Sequence, residues 1–326
     1  MEFQGRAFYN LLRFNSLESF SSKHYETWQT DDYRSLSEET IFSRLNDYGC
    51  DLDIESFMHL AANFDSPEAL SEYLIPDEFD TEQVDKVYLC LFELWRRYKK
   101  DCRSLSIFSD ELDHWMQSYD GQKEDIDDII YSYIFELQNF LDEEVDQGQD
   151  PKVVFDLISS YFAHDIENFI YDFVYDVIEK ESITVASEII DAFLPYVKRE
   201  TWFEYLKLKV FSLQDLEQFP SLIHRFSEKV IEQKDVELLI EVLDLMIDTS
   251  QIDLFLSTAK NAISLLTNYG SAQEYLIVIK EFYDSIEDHQ KAFQVSKLLQ
   301  TYQKKEATKK IFKDDPILKD INRLLD

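Results

Sequence analysis

Between Asp80 and Lys100 the apolar residues Val84, Val87, Tyr88, Leu91, Trp95 and Tyr98 recur at i, i+3, i+4 and i+7, a spacing that gathers them on one face of a helix. The same period predicts helices over 4–13, 16–28, 36–48, 53–63, 66–75, 81–100, 105–119, 123–146, 151–163, 165–180, 183–196, 198–211, 219–233, 235–247, 250–268, 271–286 and 289–304, followed by a short tail. Starts are marked by Asp80 with Gln83, by Ser66-Pro67, by Asp150-Pro151 and by Ser271 with Glu274. Gly49, Gly121, Gly148 and Gly270 fall where helices should stop. The run Phe169 to Ile178, FIYDFVYDVI, is rich in strand formers. Its aspartates 172 and 176 are nevertheless one helical turn apart, and Glu167, Asn168, Glu179 and Lys180 continue a helical pattern, so helix is expected there as well. No convincing strand remains, and five glycines with six prolines are too few for the tight turns of an all-β fold.

From Pro151 onward, helix pairs begin near residues 151, 183, 219, 250 and 289, at spacings of 32, 36, 31 and 39, a mean of about 34 residues. In this period the chain resembles the tetratricopeptide and HEAT helical-repeat families. In the unit SAQEYLIVIKEFYDSIEDHQKAFQVSKLLQ, Ala292 takes the place of the small residue at which paired helices cross, while the Trp, Gly and Pro positions of the tetratricopeptide pattern are unmatched. The expected fold is all-α, an array of about 15–17 antiparallel helices arranged as an α-solenoid or an irregular helical superhelix. The stretch DEEVDQGQDP, Asp142 to Pro151, either separates an N-terminal helical region (1–148) from a repeat-like C-terminal region (149–326) or is a tight connection within one continuous domain.

Charge narrows the function classes. With 66 acidic against 32 basic residues the net charge is −34, which repels nucleic acid phosphates and anionic lipid headgroups. The expected partner is therefore a neutral or basic protein, with no nucleic acid and no membrane. The N-terminal residues lead to no expectation of a secretory leader, and no apolar run reaches the length needed to span a bilayer. Three widely spaced cysteines, Cys50, Cys90 and Cys102, suit a reducing cytoplasmic setting. The closest two glycines are 27 positions apart. That rules out both phosphate-cradling loops and the Gly-x-Ser-x-Gly elbow, each of which needs several glycines close together. No cofactor, catalytic residue or metal ligand is assigned.

The candidate interaction or reactive residues lie around one sign change. In LWRRYKKDCR, Arg96, Arg97, Lys99, Lys100 and Arg103 form a basic cluster at a helix end, where cations complement the helix dipole. Cys102 sits among these cations before a helix start, which favours its thiolate. Residues 104–150 then hold 14 carboxylates and one lysine. Among them Asp110, Glu111, Asp113 and His114 share a helix, and Glu111 with His114 has the Glu-x-x-His spacing of di-iron bundles, but no second copy occurs. Calcium-loop spacing fails, since Gln147 stands where the glycine should be. The aromatic residues fall mainly at helical core spacing, and the second basic cluster, KKEATKKIFK, is short. The boundary either holds an internal contact, basic helix end against acidic helix face, or marks the edge of a docking site, and the internal contact is the one expected. The function expected is an acidic interaction scaffold or adaptor. The alternatives are a holding chaperone or nucleic acid mimic, and a helical enzyme or lipid carrier with a buried aromatic pocket.

Overall fold

Side-chain caps start many of the helices. Ser37, Asp53, Ser66, Asp80, Asp150, Asn268 and Asp288 each accept a hydrogen bond from a backbone amide of the first turn that follows, satisfying donors that a helix cannot satisfy itself. Asp80 and Gln83 close the expected reciprocal box. The structure is a computed structural model that describes residues 3–17, 25–76, 78–101, 103–120, 126–214, 218–247 and 251–325. Among these the fold is all-α: 18 α-helices, two short 3-10 turns and one isolated bridge between Asn268 and Lys310.

By contacts the chain forms two compact units. Unit 1 comprises residues 1–173 and 195–198. It holds α1 (Ala7–Leu17), α2 (Thr27–Thr30), a 3-10 turn (Tyr33–Ser35), α3 (Glu38–Asp47), α4 (Ile54–Ala61), α5 (Pro67–Leu74), α6 (Thr81–Tyr98), α7 (Leu105–Asp120), α8 (Asp127–Asp146), α9 (Pro151–Ser159) and the first half of α10 (Ile166–Glu179). The centre of this unit is α6. Its residues Val87, Leu89, Cys90, Leu91, Phe92, Leu94 and Trp95 are all inaccessible and pack with Tyr33, Ile41, Leu45, Phe57 and Leu70.

Unit 2 comprises residues 174–194 and 199–326. It continues with α11 (Ile183–Phe193), α12 (Glu200–Gln214), α13 (Phe219–Gln233), α14 (Val236–Ile247), α15 (Ile252–Ala262), a 3-10 turn (Ile263–Leu265), α16 (Tyr269–Ser285), α17 (His289–Tyr302) and α18 (Pro316–Leu325). Successive helices pack on one another from α11 to α15 and from α16 to α18, and α14 packs also on α12 and α16. Phe255 and Phe282 stack at a centroid distance of 3.7 Å in the core, beside Tyr275, whose hydroxyl donates to the Ala259 carbonyl.

The residues FIYDFVYDVI are helical, with Ile170, Phe173, Val174, Val177 and Ile178 buried and Asp172 and Asp176 exposed on the opposite face. Several boundaries differ from expectation. In the expected 16–28 helix, residues 18–24 lie outside the described residues, and only Thr27–Thr30 forms a separate short turn of helix. The expected 250–268 helix ends at Ala262 and tightens into a 3-10 turn. The short tail is a full helix, α18, with Ile317, Ile321, Leu324 and Leu325 buried.

Gly49 and Gly148 end helices in the left-handed region at φ 90° and 93°, while Gly121 lies outside the described residues. Gly270 corrects the reading made of it: it stands inside the first turn of α16, which Asn268 caps, so the start lies before Ser271. Its amide donates to the Ala307 carbonyl at 2.8 Å, and a Cβ there would come within 3.3 Å of Ala307. The glycine serves close approach of the 303–315 loop.

With few glycines available, left-handed positions at the ends of α10, α13 and α16 are taken by Glu181, Lys234 and Glu287, at φ 59°, 60° and 60°. A Cβ in this region costs about 1–2 kcal/mol, partly offset in a glycine by its greater freedom when unfolded. Lys234→Gly is therefore expected to raise unfolding free energy by about 0.5–1 kcal/mol, measured as a higher urea midpoint at unchanged slope.

Candidate functional site

The basic end of α6 and the acidic face of α7 meet inside unit 1. Glu93, 1% exposed, receives a fork from Arg96 (Nε to Oε2, 2.9 Å; Nη2 to Oε1, 2.7 Å) and a further bond from Arg97 Nε at 2.5 Å. Arg96 also reaches Glu111 Oε1 at 3.1 Å. Arg97 spends its Nη2 on the carbonyls of Tyr33, Arg34 and Leu36, at 3.1, 3.2 and 2.7 Å. Those carbonyls belong to the 3-10 turn and its exit, so Arg97 fixes the turn against α6. The turn in its place aims Arg34 at α7, where it binds Asp110 Oδ2 at 2.5 Å and Glu111 Oε1 at 3.1 Å.

Asp110 is closed from its other side by α1. The Asn10 amide donates to Oδ1 at 2.9 Å, and Arg6 Nε lies 3.7 Å from the same oxygen. Arg6 is itself buried, with its Nη1 free of hydrogen bonds, and its guanidinium lies 5.1 Å from the Tyr33 ring and 5.5 Å from the Phe92 ring, so aromatic faces take the place of acceptors. Burial works against ionisation of Asp110. Arg34, Arg6, Asn10 and Arg96 together outweigh it and hold the carboxyl below its ordinary value.

The remaining sequence candidates divide. Lys99 lies over the Trp95 ring at 5.5 Å, Lys100 is exposed, and Arg103 binds Glu136 at 2.7 Å and covers the Tyr133 ring. Cys102 lies outside the described residues; Cys50 and Cys90 are buried free thiols, and burial pushes Cys90 up to about 12. Glu111 turns to Arg34 and Arg96, whereas His114 lies beside Trp115, with ring centroids 5.8 Å apart. Asp113 accepts from the Ala163 and His164 amides at 2.8 and 3.1 Å and bonds His164 Nδ1 at 2.8 Å. The imidazole's partner is thus Asp113, while its sequence neighbour Asp165 accepts from the Asn168 amide in the first turn of α10. Burial pushes Asp113 upward, and its hydrogen bonds pull the other way.

Four members of the cluster, Arg6, Asn10, Arg34 and Glu93, are absent from the sequence candidates. Glu93 carried the only available signal, a carboxylate on the apolar face of α6 at i−3 and i−4 from two arginines. Among the described residues no group of three or more His, Cys, Asp or Glu is arranged to hold a metal. The arrangement locks four segments together and leaves the acidic surface elsewhere: Asp128, Glu143 and Asp146 on α8, and Asp172 and Asp176 on α10, are exposed. In the second basic cluster Lys304, Lys305, Lys309, Lys310 and Lys313 are also exposed, next to Phe312 at 72%. No family model, characterised protein or solved structure matches the chain.

Removing one partner of a buried pair strands the other charge, at about 3–5 kcal/mol. Arg97→Glu and Asp110→Asn are each expected to lower stability on that scale, read by chemical denaturation. The folded pKa of Asp110 lies below its unfolded value. Its stabilisation is therefore present above the unfolded pKa, about 3.9, and is lost as the pH falls through the folded value. Asp110→Asn should accordingly flatten the acid limb of a melting-temperature profile, and an unchanged limb would remove Asp110 from the lock.

Proposed function

We propose that the protein is a helical interaction scaffold or adaptor that binds basic or neutral partner proteins on its carboxylate-rich faces. The observation that supports this is the division of charge: Arg6, Arg34, Arg96 and Arg97 turn inward to Glu93, Asp110 and Glu111, while carboxylates such as Asp128, Glu143 and Asp172 stand outward. A surface field of one sign steers cationic segments toward it and disfavours acidic competitors. Helix pairs starting at Pro151, Ile183, Phe219, Ile252 and His289 are in keeping with an α-solenoid of tetratricopeptide or HEAT type, an architecture that offers extended surface for such contacts. No helix among the described residues is long and apolar enough to cross a membrane. A cytoplasmic setting is part of the proposal, and the free thiols of Cys50 and Cys90 are consistent with it.

The immobilised full-length protein, exposed to native lysate, is expected to retain at low salt a partner carrying a basic segment and to release it at high salt. A retained set containing no salt-sensitive protein overturns the reading.

A further inference from the structure

α12 carries apolar residues on every side, interspersed with Glu204, Lys207 and Lys209. It buries Phe203, Leu206, Leu208 and Val210, yet leaves Phe211 and Leu213 37% and 57% exposed. A helix of that kind ordinarily has neighbours on more than one side. On its flank toward α13, Glu204, Lys207, Leu208 and Phe211 stand at i, i+3, i+4 and i+7, and α13 answers with Leu222, Arg225, Phe226 and Lys229 at the same spacing. An ion pair between Glu204 and Lys229 joins the start of α12 to the end of α13, so the two rows run antiparallel. Between them lies an open groove of about 410 Å³, about 10 Å or two helical turns long. Of its apolar lining residues Leu208 is buried, Leu222 and Phe226 are half-buried and Phe211 is exposed.

The rim has the opposite sign to the chain. Lys207 bonds Asp191 at 2.6 Å, Lys229 is taken by Glu204, and Arg225 is exposed with no ion pair to any described carboxylate. With Asp191 counted, three cations meet two carboxylates, and the one positive charge left over is that of Arg225, in a protein of net charge −34. Paired i, i+3, i+4, i+7 rows are the holes that a third helix fills with its own apolar knobs. The rim selects what flanks those knobs: carboxylates would meet Arg225, whereas lysines would be repelled by it.

We infer that this groove is a docking site for an acidic amphipathic helix of a partner protein, its apolar residues seated over Leu208, Phe211, Leu222 and Phe226 and its carboxylates facing Arg225. The site lies apart from the carboxylate-rich faces and selects the opposite charge, so it extends the scaffold reading by a second partner class. The test is direct titration of the full chain with two labelled helical peptides that share one apolar row, one flanked by Glu and one by Lys, read by fluorescence anisotropy. The Glu-flanked peptide is expected to bind at least about tenfold more tightly. Arg225→Glu, at an exposed position, should reverse that preference with an unchanged circular dichroism spectrum, and Phe211→Ser should weaken both peptides.

Equal binding of the two peptides, or a preference untouched by Arg225→Glu, overturns the proposal. Concentration-dependent self-association that Arg225→Glu abolishes would also overturn it, by making a second copy the occupant. Because no lysate partner enters this assay, a negative result here leaves the carboxylate-face reading to its own salt test.

Discussion

A carboxylate at 1% exposure has to be neutralised where it stands, and much of unit 1 follows from how Glu93 meets that requirement. Two arginines from the next turn of α6 supply the charge. Each has donors left over, and each uses them on a different segment: Arg96 on Glu111 of α7, Arg97 on the carbonyls of the 33–36 turn. Arg34 then closes the circuit from that turn to Asp110, and Asn10 and Arg6 bring in α1. Such a network contributes less to net stability than to uniqueness of arrangement. Desolvation offsets most of the Coulomb gain, but any rearrangement strands a buried charge.

The same network decides where the protein's charge is felt. Arginines consumed inside cannot soften the surface, so the acidity of the chain falls on exposed helix faces such as those of α8 and α10. Against that background Arg225 on the α12–α13 groove and the lysines of the 303–315 loop are local exceptions. The loop is held by its backbone, through Tyr269, Gly270 and Ile311 amides, which leaves its lysine side chains to the solvent.

Much of the helical framework was legible in the sequence, because local signals write it. The Asp80–Gln83 box, Ser66-Pro67 and Asp150-Pro151 all cap helices as read, and the period around Val84 to Tyr98 marks a helix with its apolar face inward. Where the reading missed, tertiary packing overrode the local signal. Gly270 looked like a helix end, but its missing Cβ serves contact with Ala307. The sign change at residue 103 was legible, and so was its resolution in an internal contact. Arg34, Arg6 and Asn10 were not, since their partners lie 76 to 104 residues away along the chain and no periodicity reports such a distance. His164 shows the same effect, with its partner 51 residues back while an aspartate sits beside it in sequence.

That separation has a consequence for the order of events during synthesis. Asn10 pairs with Asp110, a separation of 100 residues, and Arg34 pairs with the same residue at 76. A chain growing from its N-terminus exposes Arg6 and Arg34 long before the carboxylates of α7 exist. Unit 1 must then close loops of this length before its charges are matched, which raises its contact order and slows its folding relative to a stack of sequence-adjacent helices. In the meantime Arg6 and Arg34 lie in a segment that is itself net acidic, with 21 carboxylates against 11 lysines and arginines before residue 105, so the pairing with Asp110 has to be selected over nearer carboxylates once α7 emerges.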